Sequence, residues 1–297
     1  MRSASVALLL LVAPAARAQT PEIVAAIEDK LGTIRYVLKL EDPAGGFAPT
    51  AGAKPGLRAT SACVRALKYS ALPDGKTPIA DKHAAFVLAC FDPATGGFAD
   101  APGGKADVTL TSVGIMAAAE LGVPKERYRK ALDYLKDNAK SFEEVRIAAA
   151  GVEAWGVKDS PFDLAPWVEA GREHLKAVGA TDPREVGSAV ALGLRLGANL
   201  GQQERQVIAD LLTRGQRADG GWGKKDEKAS DLETTYRVMR ALVMLGRRPA
   251  DAAKLRGFVA SCRNADGGSG AKPGDPSGAG PTYYGAIITQ WLVEMEK

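Results

Sequence analysis

The sequence predicts an all-α protein of six inner and six outer helices, closed into a double ring. Three observations predict it. Four glycine-rich loops recur along the chain, each followed at one fixed distance by threonine. Glycine-ended apolar helices recur at the spacing of a helix–turn–helix unit. Between them lie shorter helices with one apolar stripe and a charged face.

The loops are Asp42–Ala48, Asp92–Ala99, Arg217–Gly223 and Asn264–Gly270. The residue after each Gly-Gly pair is Phe47, Phe98, Trp222 or Ser269. Thirteen residues further on stands Thr60, Thr111, Thr235 or Thr282. The text around the threonines matches too, with LRATSACVRAL at Leu57–Leu67 lying over LETTYRVMRAL at Leu232–Leu242. Gly122 and Gly246 end their helices and are followed shortly by proline, a helix-stop signal. The middle of the chain lacks the loop but keeps the helix. Aligning Gly156 and Gly197 with Gly246 places Val145 and Val186 at the threonine position. Six inner helices follow.

The outer helices are expected at about 22–41, 78–91, 125–139, 163–178, 203–216 and 250–263. Tyr128, Ala131, Leu132 and Leu135 form the apolar stripe of the third. The inner helices are built largely of Ala, Gly, Ser, Val and Met, so they are buried on most sides. An open solenoid also stacks helix pairs; six pairs with small-residue inner helices fit a closed ring better.

The first residues read as a secretory leader. Arg2 supplies the positive start, Val6–Val12 the apolar run, and Ala16-Arg17-Ala18 the cleavage site. The expected organisation is a signal peptide at 1–18 and one domain at 19–297, secreted or periplasmic. No other stretch is long and apolar enough to span a membrane. Net charge is +4 with both signs mixed, and no Lys/Arg block argues for nucleic acid. Three cysteines and two histidines, with no C-x-x-C, exclude a Cys/His structural zinc site. Cys63 and Cys90 fall at level ends of neighbouring helices, where either a disulfide or two buried thiols fit. His83 and His174 lie on outer helices as packing or surface residues.

At Gln216–Gly223 the run QRADGGWG resembles the Q-x-x-D-G-x-W motif of squalene-cyclase-type enzymes. DGGWG followed by SDLETTYRVMRAL resembles the repeat shared by those enzymes and protein prenyltransferase β subunits. The resemblance covers nearly all of residues 20–297. It implies an (α/α)6 toroid with its site in a central cavity lined by inner helices. It also implies an isoprenoid or other lipid ligand, and for the prenyltransferases a helical α-subunit partner.

The family's zinc ligands are Asp, Cys and His. Asp231 matches the first, Glu233 stands where the cysteine belongs, and Pro281 occupies the histidine's neighbourhood. Asp231 is thus the one family-matching ligand, and no cofactor is expected. The cyclase D-x-D-D acid is equally incomplete, because Asp231-Leu-Glu233 is followed by Thr234.

The candidate catalytic residues are Asp231, Glu233 and Tyr236. The candidate ligand contacts are Arg65, Arg240, Tyr283, Tyr284 and Trp222. Acids at inner-helix starts, including Glu144, Glu185 and Asp107, also serve as helix caps, and Trp222, like Phe47 and Phe98, also fits a packing role. Arg65 and Arg240 stand five residues after their threonines. Arginine there needs a neighbouring acid or an anion in the cavity. Arg214 and Arg217 resemble the family's diphosphate-holding basic residues and equally fit surface charge. Three functions are open: a prenyltransferase-like enzyme, a non-catalytic module binding a lipid, peptide or partner, and a glycan-active toroid. The last needs two carboxylates facing one cavity, from Glu144, Glu185, Asp231 and Glu233.

Overall fold

The computed structural model describes residues 21–72, 75 and 77–296. The leader expected at 1–18 lies outside the described residues. Twelve α-helices are formed, with isolated bridges in place of strands among the described residues. The inner set is α2 (Leu57–Tyr69), α4 (Val108–Glu120), α6 (Phe142–Trp155), α8 (Pro183–Arg195), α10 (Leu232–Met244) and α12 (Ala279–Glu294). The outer set is α1 (Pro21–Leu38), α3 (Asp81–Ala89), α5 (Lys130–Asn138), α7 (Ala165–Val178), α9 (Gln202–Arg214) and α11 (Ala252–Ser261).

Each inner helix packs on the next, and α12 packs back on α2. That last contact closes the ring and rules out the open solenoid. On the outside α1 touches both α2 and α12, covering the seam. Two hydrophobic clusters fill the space between the rings.

The thirteen-residue spacing has a direct physical cause. In all four loops the backbone N–H after Gly-Gly donates to the Oγ1 of its threonine. The distances are 2.9 Å for Phe47 to Thr60 and 3.0 Å for Phe98 to Thr111, Trp222 to Thr235 and Ser269 to Thr282. These bonds are buried, so losing the acceptor would leave an unpaired N–H.

The glycines explain the other half of the motif. Gly45, Gly96, Gly220 and Gly267 all have φ between 80° and 94°, a region that glycine enters at no steric cost. A side chain on Gly267 would also strike the Gly32 carbonyl of α1, at 2.3 Å. The last loop can therefore press on the first outer helix only as glycine.

Trp222 is 1% exposed, and its indole N–H donates to the Leu212 carbonyl at 2.8 Å. Its indole is sealed between helices, so the expectation that it touches ligand is corrected: it is a packing residue. Cys63, Cys90 and Cys262 are all free and buried. Cys63 and Cys90 belong to different hydrophobic clusters. Of the two readings offered for that pair, separate buried thiols is the one found. Burial pushes the Cys90 and Cys262 thiols up to about 12, leaving them protonated. His83 is fully buried, with Nδ1 2.8 Å from the Gly45 carbonyl and its ring against Phe47. His174 stacks on Phe142 and lies 3.0 Å from Glu185.

Candidate functional site

All six inner helices run the same way, so their starts surround one mouth. Behind that mouth lies a cavity of about 560 Å³. Its lining reaches from Gly56, Glu143, Glu233 and Ala279 at the helix starts down to Arg65 and Arg195. Two open grooves on the outer surface, of about 670 and 590 Å³, lie beyond this ring. They are bordered by neither the tyrosines nor the arginines discussed below, and we take the central cavity as the site.

The mouth carries a closed network of ion pairs. Arg237 donates to Glu233 at 2.8 Å and reaches Glu143 at 3.1 Å. Glu143 also accepts from Arg146 at 2.8 Å. Arg184 lies 3.5 Å from Glu233 and 2.7 Å from Glu185. Burial alone would push Glu143 up, but the hydrogen bonds and charges of Arg146 and Arg237 outweigh it and hold the carboxyl at about 2. Glu233 is partly buried too, and Arg237, Arg184 and Arg146 likewise keep it below its ordinary value. Both groups are therefore fixed as carboxylates at neutral pH. Neither is a proton donor of the kind an alkene-protonating cyclase or a glycosidase requires.

The inner end wall is different. Arg65 of α2 donates to the Tyr283 hydroxyl at 3.3 Å and lies over that ring at 5.7 Å. Among the described residues no carboxylate comes within bridging distance of Arg65. Glu120 is taken by Lys68. Arg195, whose side chain is 8% exposed, lies 3.1 Å from Glu153 Oε2. Arg240 donates to that same oxygen at 2.8 Å. Arg195 and Arg240 thus share one carboxylate, and Arg65 has none. Arg65 Nε and Arg240 Nε have no hydrogen-bond partner, and neither has Arg184 Nε at the mouth.

Tyr236 stands among these charges. It stacks against Tyr284 and Trp291 and accepts a hydrogen bond from Tyr283 at 3.3 Å. Burial pushes its phenol up. Arg195, Arg240 and Arg65, with the Tyr283 hydroxyl, more than cancel that and bring it down to about 8. Tyr283 goes the other way, well above its ordinary value, through burial and its bond to Tyr236. Burial also raises Tyr284.

Of the residues singled out in the sequence, Arg65, Glu144, Glu233, Tyr236, Tyr283 and Tyr284 line the cavity. Arg240 stands just behind the end wall, with its acid partner Glu153. Asp231 caps α10 instead. Its oxygens accept from the Thr234 N–H at 2.7 Å and the Thr234 hydroxyl at 2.8 Å, so the geometry gives it a structural task. Glu144 forms a capping box with Ser141, and Asp107 caps α4. Arg217 donates to the Lys224 carbonyl within its own loop, and Arg214 is exposed.

The family's zinc finds no fitting donor set. Asp231 is spent on capping, Glu233 is held by two arginines, and Pro281 offers no side-chain donor. No group of three or more His, Cys, Asp or Glu able to hold a metal occurs among the described residues.

Sequence reasoning missed Glu143, Arg146, Glu153, Arg195 and Arg237. Arg195 had the same signal as Arg65, an arginine in an otherwise small and apolar inner helix. Glu153 and Arg195 lie on the two helices without a glycine loop, where the repeat alignment was thinnest.

Comparison with known proteins places this geometry. The prenyltransferase alpha-alpha toroid domain matches at residues 72–145 and 173–296. Among solved structures, type II terpene cyclase MstE from Scytonema is similar, with 13% identity and a TM-score of 0.57 over 91% of this chain and 98% of that one. A variant of the same cyclase in complex with geranylgeranyl dihydroxybenzoate, its substrate, matches with 13% identity and a TM-score of 0.58 over 92% and 99%. A protein from Actinoplanes matches with the same three figures for identity, TM-score and coverage of this chain, 13%, 0.58 and 92%, and over 99% of its own length. At this identity the likeness shows the fold. No curated protein matches the sequence significantly. By its repeats, its closed double ring and the extent of the domain match, the chain belongs to the prenyltransferase alpha-alpha toroid domain family.

Proposed function

We propose that this protein is an exported toroid that binds an isoprenoid or other lipid amphiphile by its anionic head group, without turning it over. The carrying observation is the end wall: Arg65 and Arg195 line a cavity of ligand size with Arg240 just behind, and Glu153, shared by Arg195 and Arg240, is the one carboxylate paired with any of the three among the described residues. Arginine held away from bulk water without a matching acid is costly. An anion that accepts from its idle N–H groups relieves that cost through charge-assisted hydrogen bonds. MstE, of the same fold, binds a geranylgeranyl chain joined to a benzoate, which supports a ligand of that general build here. Binding without turnover follows from the acids. Glu143 and Glu233 are held ionised by arginine, and Asp231 is a cap. Export rests on the leader at 1–18.

Calorimetric titration of the mature chain with geranylgeranyl phosphate and geranylgeraniol tests the reading. The phosphate should bind at least about tenfold tighter, the least expected from charge-assisted bonds of about 1.5–3 kcal/mol. Equal affinity for the two would overturn it, and so would formation of a cyclised product.

A further inference from the structure

We infer that the ligand enters this cavity head first, with its anion at the inner end wall and its apolar tail running out toward the mouth. The inference rests on the reading above, of an anionic amphiphile in the central cavity, and adds the direction in which it lies.

The two ends of the cavity differ in free charge. At the mouth Arg146, Arg184 and Arg237 meet Glu143, Glu185 and Glu233, and every member has a partner. Lys54 and Arg58 at the rim are solvent-exposed, where a charge contributes little to holding an anion. At the end wall Arg195 and Arg240 share Glu153, and Arg65 pairs with no carboxylate among the described residues. An anion placed at the mouth would have to break existing pairs. At the end wall it meets Arg65, which has no carboxylate, beside two arginines that share one.

The depth of these groups follows from helix geometry. Arg65 stands nine residues beyond Gly56, roughly 13 Å along the axis at 1.5 Å per residue. Side chains on a helix lean toward its N-terminus. Arg195, on the last turn of α8, therefore leans back toward the cavity that it lines.

Between the ends the wall is divided lengthwise. Ala59 and Ala62 of α2, Val113 and Met116 of α4, and Ile147 and Ala150 of α6 make an apolar strip. Facing it, α10 and α12 present Tyr236, Tyr283 and Tyr284. The strip begins at the level of the arginines and climbs to the mouth. It offers an apolar chain continuous contact along that length, and the charge difference between the ends sets which way the chain lies. A tail longer than the cavity is deep then emerges between the helix starts.

Three probes test the direction: geranylgeranyl phosphate, the same molecule with a fluorophore on its distal carbon, and the same with that fluorophore esterified to the phosphate. The distal label should change affinity less than threefold, and the phosphate label should weaken binding at least thirtyfold. Arg65→Met should weaken the unlabelled and distally labelled probes about tenfold and change the phosphate-labelled one little. The opposite order of the two labelled probes would overturn the direction and leave the anionic-amphiphile reading standing. Equal loss on both labels would mean an enclosed ligand and would also overturn it. Failure of the unlabelled phosphate to bind would sink the reading itself and the inference with it.

Discussion

Three arginines stand at each end of the cavity, and they do opposite things. Around the mouth Arg146, Arg184 and Arg237 are interleaved with Glu143, Glu185 and Glu233. At the end wall Arg195 and Arg240 share Glu153 and Arg65 pairs with no carboxylate among the described residues. Residue type is alike in the two sets, and Arg237 and Arg195 are both deeply buried, with side chains 10% and 8% exposed. The number of acids within reach separates them. A paired arginine ties inner helices together: Arg237 of α10 reaches past α8 to Glu143 of α6. An unpaired one is a standing demand for an anion. Burial of an arginine therefore says little about function until its partners are counted.

The largest expected effect comes from emptying the end wall. Replacing Arg65 and Arg195 together by methionine keeps much of their volume, removes two buried charges and leaves Glu153 to Arg240. Affinity for geranylgeranyl phosphate should fall by about a hundredfold or more, since each arginine contributes bonds of about 1.5–3 kcal/mol. The melting temperature should hold or rise, because an excess of positive charge is removed from a buried site while Glu153 keeps Arg240. Titration beside thermal unfolding checks both halves. A double variant that melts well below the parent would show that the end wall is a structural pair network like the mouth.

The mouth should answer in the reverse sense. Arg237→Met strips Glu143 and Glu233 of their shared partner while leaving the end wall intact. Stability should drop by about 1–3 kcal/mol, within the range for breaking a partly buried pair and discounted for the half-exposed glutamates. Affinity for geranylgeranyl phosphate should change less than threefold. Chemical denaturation measures the first and titration the second; a large loss of affinity with no loss of stability would exchange the roles assigned to the two ends.

These contrasts were only partly legible in the sequence. The ring was legible because its determinants are local. A threonine thirteen residues after Gly-Gly is one hydrogen bond, repeated four times at 2.9–3.0 Å, and a fixed bond leaves a fixed spacing. Six inner and six outer helices followed, with the seam closed by α12 on α2. The site was legible only where it shared the repeat register. Arg65, Tyr236 and Tyr283 stand close after their threonines and were found; Arg195 and Glu153 stand on loopless helices and were missed. Asp231 misled because a helix cap and a metal ligand are the same residue at the same place, and only the Thr234 N–H and hydroxyl on its two oxygens tell them apart. Pairing is a property of three-dimensional neighbours. Glu153 of α6 meets Arg240 eighty-seven residues away, and no spacing in the chain announces it.

Acid separates the ends more gently. Glu143 sits at about 2, below its ordinary 4.5. A carboxyl so depressed contributes stability that is complete above 4.5 and fades as pH falls toward 2. The parent should lose stability across that interval, and Arg237→Met, with a less depressed Glu143, should lose less of it. Acid titration followed by circular dichroism reads the difference. Identical acid profiles would mean that Arg146 alone holds Glu143 down.

The smallest effect belongs to Tyr236, where the end wall has made up part of its charge deficit from within. Arg65 of α2, Arg195 of α8 and Arg240 on its own helix face the phenol, with Tyr283 of α12 donating to it and Glu153 of α6 behind the arginines. Burial opposes its ionisation, yet the three charges bring it to about 8 against an ordinary 10.0. Between those values the folded chain holds less proton than the unfolded chain, so this group makes stability rise with pH from about 8 to 10. The contribution is lost as pH falls through 8. It should be on the order of 1 kcal/mol, and Tyr236→Phe should abolish it. The phenolate also takes the place of a ligand anion. Affinity for inorganic pyrophosphate should therefore decline above pH 8 in the parent and stay level in Tyr236→Phe. If the two proteins lose pyrophosphate in parallel, Tyr236 is a bystander, and the cation excess at the end wall is met by the ligand alone.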